Sequence, residues 1–423
     1  MTLPRFIQIH TLHNYPAALL NRDDAGLAKR LPYGDKVRTR ISSQCLKRHW
    51  RKAEDAFSLS GLDVPMAIRS RAFVDRIGSA MRAEGVDDQV ADAVALALRD
   101  ALKKPLDKLI KDAGKKKTPK KGKKAEEVQD DEDDEGDAVS GEQKQAILLG
   151  VAEYEYLTRA CVEVAKRTSA AEARLALLSR LKAEHDNLKQ LPLNSGLESA
   201  LFGRMVTSDV LASRDAAVYV AHAFTVHEAQ VENDYFTVVD DLLQEAGEAG
   251  SAGIFDTELA SGLYYGYVVV DVPQLVANLE GVAIKDWNTA TPEQRALAGR
   301  VVQHLLHLVA TVSPGAKRGS TAPFAWAKFM LVEAGNWQPR SLAGAFQNAL
   351  PSSQPALRKA AVQRLSDEIA QMDAAYGAPL SRRFLAVDDV QVPGAERLTL
   401  KALAEWAQAA VTRRAFLERY CDT

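Results

Sequence analysis

Between Lys36 and Lys52 the chain runs KVRTRISSQCLKRHWRK, and its periodicity changes partway along. Lys36, Arg38 and Arg40 alternate with Val37, Thr39 and Ile41, the period of two of a half-buried strand. From Ser43 the apolar positions Leu46, Trp50, Ala53 and Phe57 recur at helical spacing, with Gln44, Lys47, Arg48 and Arg51 on the remaining surface. Ser43 is the expected N-cap. No acidic residue interrupts the stretch before Glu54. A cationic strand face running into a helix start, with hydroxyls and free N–H groups turned outward, suits phosphate binding. The candidate contacts are Arg40, Ser42, Ser43, Gln44, Lys47, Arg48 and Arg51; the competing reading is an ordinary solvated face.

Any such track has to be local, because the net charge of the 423 residues is only -2. With 47% hydrophobic residues the chain can bury a large core, as two or three domains or as one with large insertions. Cys45, Cys161 and Cys421 are too few and too scattered for a disulfide framework or a cysteine metal site, which fits a reducing interior. No segment offers eighteen uncharged apolar residues, so a soluble cytoplasmic protein without a membrane partner is expected.

Phe6 to Leu12 reads as a first strand, followed by a loop containing Asp23 and Asp24 that ends in a turn at Gly34 and Asp35. Two adjacent carboxylates without a third ligand more often cap or pair with arginine, so neither metal nor cofactor is expected. Helical patterns over 46–57, 69–85 and 87–109 give way to a lysine block from Lys115 to Lys124 and an acidic block from Glu126 to Asp137. Such a segment cannot offset its ordering entropy by burial, so 111–141 is expected to be disordered. Helical patterns return over 145–164 and 170–191, giving a helical subdomain of about 55–191 inserted after the first strand and basic helix. Arg204 is a plausible phosphate contact, and Met205 is either core or an apolar wedge, with core favoured.

Asp215 to His227 suggests a central strand. Tyr235 and Phe236 on a polar loop are either a base-stacking device or a local hydrophobic anchor. GIFDTELASGLYYGYVVVDVPQL is the clearest strand signal, and Gln294 to Val312 is an amphipathic helix whose His304 and His307 belong to packing. The loop PGAKRGSTAPF sets Lys317 and Arg318 between glycines as a second phosphate candidate. Pro355 to Tyr376 and Leu400 to Tyr420 read as helices, with a strand at Phe384 to Val387.

The ordered motifs FIQIH, LLNRDDAG, RTRISSQCLKR, LFGRMVTSD, VAHAFTVH, ENDYFTVVDDL, ASGLYYGYVVVD and HLLHLVATVSPGAK, spread over 5–333, resemble the major backbone subunit of the type I-E CRISPR surveillance complex, Cascade: the CasC family. The resemblance implies an α+β fold, a modified RNA-recognition-motif, ferredoxin-like palm (1–54 and 192–333) with a helical fingers insertion (55–191). It also implies an extended thumb loop (228–262) and a C-terminal helical portion (334–423) packed on the palm. It implies a non-catalytic subunit that polymerises head to tail along crRNA and presents spaced guide segments to target DNA. Other Cascade subunits would be partners, and a nuclease-helicase would be recruited only through the complex. By motif, Ser42, Gln44, Lys47 and Arg51 resemble guide-phosphate contacts, with Lys29 in a variable loop and Lys317 along the same path. Met205 resembles the apolar residue at a guide kink, and Tyr235 with Phe236 the thumb-tip wedge, although Tyr235 stands where relatives use tryptophan. The competing classes are a CRISPR-associated endoribonuclease using His10 or His13 with Asp23 or Asp24, and a protein-only adaptor.

Overall fold

The computed structural model describes residues 3–113, 146–184, 193, 195–204, 210–211, 213–239, 251–377 and 380–413. Most of the expected charged excursion, Met205 and residues 240–250 of the expected thumb loop lie outside them. The chain divides into two compact units: Met1–Leu59, Val218–Val272 and Arg295–Thr423 form one, and Ser60–Ala217 with Pro273–Gln294 the other.

The first unit is built on β1 (Phe6–Ala18), which pairs antiparallel with β9 (Ser251–Asp271) on one side and β10 (Phe329–Gly335) on the other. With a neighbour on each edge and every residue from Phe6 to Leu12 buried, β1 is central to the sheet. Its polar residues Gln8 and His10 are therefore committed to internal partners. Gln8 Oε1 accepts from Tyr267 Oη at 2.7 Å and from the Arg340 N–H at 2.8 Å. The His10 imidazole lies 2.9 Å from Tyr265 Oη and 3.2 Å from Glu333 Oε2. Glu333, fully buried, also accepts from Arg340 at 2.6 and 3.1 Å and from Arg382 at 2.6 Å. Buried charge is tolerable only when paired in this way. Burial pushes the Glu333 carboxyl up, but the His10 and Arg340 contacts outweigh it and hold the group well below the usual carboxylate range.

Beyond β9 the sheet continues through β7 (Ala223–Thr225), β3 (Lys36–Ile41) and β2 (Arg30–Tyr33), and beyond β10 through β11 (Ser381–Ala386) and the parallel β12 (Ala395–Arg397). Asp215 to His227 is not one strand. β6 (Val218–Val220) pairs with 268–270 of β9 and β7 with Tyr264 and Tyr265, the chain breaking step between them. β8 (Gln230–Val239) and the first half of β9 form a long antiparallel ribbon. The β2–β3 turn needs glycine at Gly34: φ is +62°, and a Cβ there would sit 1.6 Å from the Gln347 carbonyl oxygen.

Helix α1 (Ser43–Arg51) follows β3 directly. The second unit contains α2 (Phe73–Ala83), α3 (Asp88–Ala101), α4 (Leu106–Ala113), α5 (Val151–Arg167), α6 (Ala170–Ala183) and α7 (Leu197–Phe202), with the short pair β4 (Ala67–Ser70) and β5 (Ile147–Gly150). Phe73, Ile77, Leu98, Leu157, Leu177 and Leu181 close a single apolar core there. Burial pushes the Cys161 thiol up to about 12, which leaves it protonated and inert. Helix α8 (Val272–Glu280) leads out of β9, and Asn278 donates to the Ala200 and Asp215 carbonyls at 2.8 and 2.9 Å.

In the first unit α9 (Ala296–Thr311) buries Val301, Val302, Leu305, Leu306 and Leu308, and the one-turn α10 (Arg318–Thr321) follows. His304 binds the Phe57 and Ser58 carbonyls and His307 stacks on the Phe57 ring at 3.5 Å, so both serve packing. α11 (Leu357–Tyr376) and α12 (Leu400–Thr412) complete the unit.

Candidate nucleic-acid interface

The N-cap of α1 is Ser42, one residue earlier than the helical period suggests, and its hydroxyl accepts from the Cys45 N–H at 3.2 Å. Ser43 donates to Gln44 Oε1 at 3.0 Å. Both serines are buried, so their hydroxyls shape the helix start instead of standing open to solvent. Leu46 and Cys45 pack toward Tyr15, Ile41, Ala223 and Tyr264, which turns Gln44 and Arg48 outward and leaves Lys47 and Arg51 half-buried at the edge. Partial burial pulls the Lys47 ammonium below the usual lysine value.

Asn21 joins the preceding loop to this helix. Its Oδ1 accepts from the Ser42 N–H at 2.8 Å, and its backbone carbonyl accepts from the Lys29 N–H at 3.0 Å. The Lys29 carbonyl accepts in turn from the Arg40 N–H at 2.8 Å, and the Arg40 guanidinium lies 3.0 Å from His222 Nδ1. Asn21 went unmarked in the sequence; the only signal was an amide just ahead of Arg22, Asp23 and Asp24.

The loop after α9 closes on the other side. Its Ala316 N–H donates to the Leu19 carbonyl at 2.8 Å, and Lys317 donates to Thr257 on β9. Burial lowers the His49 pKa, and the positive charges of Arg318 and Arg48 lower it further. The cap and helix α1 carry Ser42, Ser43, Gln44, Lys47, Arg48 and Arg51, and hydrogen bonds tie the segments of Lys29 and Arg40 to its start, while the loop of Lys317 brings Arg318 within electrostatic reach of His49.

Three expectations change. Arg38 does not join an outward cationic face: it is fully buried and donates to the Thr225 and Phe346 carbonyls at 3.1 and 3.0 Å. β3 lies between β7 and β2, so only Lys36 and Arg40 of that parity reach solvent. Arg204 is no phosphate contact: its side chain is 3% exposed and grips Glu153 at 2.6 and 2.8 Å within the helical unit. Tyr235 is 64% exposed, but on the β8 strand, not a loop, opposite Asp256. Phe236 pairs through its backbone with Phe255; its side chain, like Met205, lies outside the described residues.

His10 is fully buried with both ring nitrogens engaged, and burial lowers the His13 pKa to about 4. Asp23 accepts from the Leu27 N–H at 2.9 Å and so caps its own turn. Among the described residues no group of three or more His, Cys, Asp or Glu could hold a metal ion, and no helix is long and apolar enough to cross a membrane.

A mixed sheet with α1 against it, a helical insertion and a long projecting ribbon define an RNA-recognition-motif-like palm with fingers and thumb. Residues 7–409 match the CT1975-like protein family, and the chain belongs to it. A chain of a solved "CRISPR RNA-guided surveillance complex, pre-nicking" is 25% identical, with a TM-score of 0.68 over 96% of this chain and 100% of that one. A chain of a second "CRISPR RNA-guided surveillance complex", 24% identical with a TM-score of 0.59 over 96% and 99%, shares the fold. No curated protein matches this sequence.

Proposed function

We propose that the chain is a non-catalytic, crRNA-binding backbone subunit of a Cascade-type CRISPR surveillance complex. The observation that carries the reading is the cationic helix α1, bearing Gln44, Lys47, Arg48 and Arg51, with Arg318 of the following loop within electrostatic reach of His49, in a chain similar along 96% of its length to a surveillance-complex chain. Contacts to phosphate fix the position of a strand without reading its sequence, and base pairing by the guide then supplies target recognition. A cationic helix face suits that division of labour.

In this reading the helical unit serves as fingers, the β8–β9 ribbon as thumb, and Tyr235 as part of a wedge that separates bound guide segments offered to target DNA. Copies assemble head to tail, which requires two unlike surfaces per protomer. The subunit works in the cytoplasm, and any nuclease-helicase joins through the complete complex. The test is the salt dependence of guide binding by K47A/R51A. Each single-strand phosphate contact contributes about 0.7 to the slope of log affinity against log salt, so losing two should lower it by about 1.4 for guides of any sequence. Unchanged affinity and slope would overturn the assignment.

A further inference from the structure

Beyond α10 the segment 323–328 alternates in burial: Pro323 and Ala327 are buried and Ala325 is partly so, whereas Phe324 is 73% and Trp326 is 70% exposed. The backbone is held from behind. Ser313 Oγ accepts from the Ala325 N–H at 2.9 Å and donates to the Ala325 carbonyl at 3.0 Å. The Ala327 N–H donates to the Ala310 carbonyl at 2.7 Å, and the Lys328 N–H to the Leu12 carbonyl at 2.8 Å. Phe324 and Trp326 therefore project together from a pinned ledge.

Charge selects among partners for so large an apolar pair. From Gln294 to Val332 the sequence contains no Asp or Glu, and the ledge lies between exposed Arg318 and partly exposed Lys328. Aromatic faces flanked by cations are the composition of a single-strand nucleic-acid channel, where bases stack and phosphates pair with the charges. A protein partner would gain from the rings but not from the flanking Arg318 and Lys328.

We infer that Phe324 and Trp326 form a stacking platform for an unpaired base of the guide RNA, the strand whose phosphates we assign to neighbouring Lys317 and Arg318; the inference rests on that reading. The test uses full-length protein with single-stranded guide RNA carrying 4-thiouridine. F324A/W326A, altering only exposed rings, should weaken binding by about 5- to 150-fold and leave the salt slope unchanged. W326F should restore most of the affinity, and cross-links in the wild type should map to Phe324 or Trp326. If the wild-type protein binds no guide, the functional reading fails and takes this inference with it. If the wild type binds with its salt slope intact while F324A/W326A binds equally well and no cross-link reaches the ledge, the platform is wrong and the reading stands. Cross-links from 4-thiothymidine in target DNA instead of from the guide, or unchanged RNA affinity with lost self-assembly, would likewise overturn it in favour of a DNA base or a second copy.

Discussion

Replacing Arg204 with alanine should destabilise the helical unit without touching the electrostatics of guide binding. The Arg204 and Glu153 side chains are 3% and 5% exposed, joined by contacts of 2.6 and 2.8 Å, and Arg204 also donates to the Leu148 carbonyl at 3.1 Å. Glu153 cannot swing out to water cheaply, because its carboxylate also accepts from the Gly150 N–H at 3.0 Å and so caps α5. Removing one partner strands a buried charge, which costs about 3–5 kcal/mol. At 1.36 kcal/mol per factor of ten, amide exchange through opening of α5 should quicken by about 150- to 5,000-fold. Hydrogen exchange read by mass spectrometry over 151–167 measures this directly. The R204M/E153Q pair, which leaves no stranded charge, should recover most of the loss. Unchanged exchange in R204A together with a guide-binding slope lowered by about 0.7 would refute the structural role and restore Arg204 as a phosphate contact.

Two further outcomes follow from the palm. Burial holds His13 neutral, with a pKa of about 4 against an ordinary 6.5. Because the folded value is the lower one, the associated stability is complete above about pH 6.5 and is lost as pH falls through about 4. The gap corresponds to about 3 kcal/mol, and urea unfolding of H13Q between pH 7 and 4 should lack that component; an equally steep profile would refute it. N21A removes the acceptor of the Ser42 N–H and should cost about 0.5–1.5 kcal/mol. It should weaken guide binding severalfold at constant salt slope, and a reduced slope would show that Asn21 itself faces phosphate.

What the sequence conveyed, and what it withheld, follows from how local each determinant is. The change of period at Ser43 places β3 and α1, and the run from Gly253 to Asp271 announces β9, because each is a property of adjacent residues. Arg38 misled because alternation reports a face, not whether that face meets water; the Phe346 segment that covers it lies some 300 positions on. Arg204 misled for the same reason, its partner Glu153 being 51 residues away. The cations of α1 were legible as a cluster, whereas Asn21, which ties Lys29 and Ser42 together, carries no charge or period to mark it. Phe324 and Trp326 sit in the apolar run Pro323–Ala327, which in sequence reads as core, and the alternating burial and the clamp at Ser313 show that they stand on a ledge.

The central position of β1 also bears on how the molecule is made. Phe6 lies opposite Asp271 on one edge and Gly335 on the other, so a strand buried on both faces finds its neighbours only once residues 271 and then 335 have been translated. At about 5–20 residues per second that delay is roughly 15 to 60 s. The helical unit draws nearly all its contacts from 60–217 and can close well within that interval. Nascent chains of this protein thus hold β1 unpaired while the helical core closes.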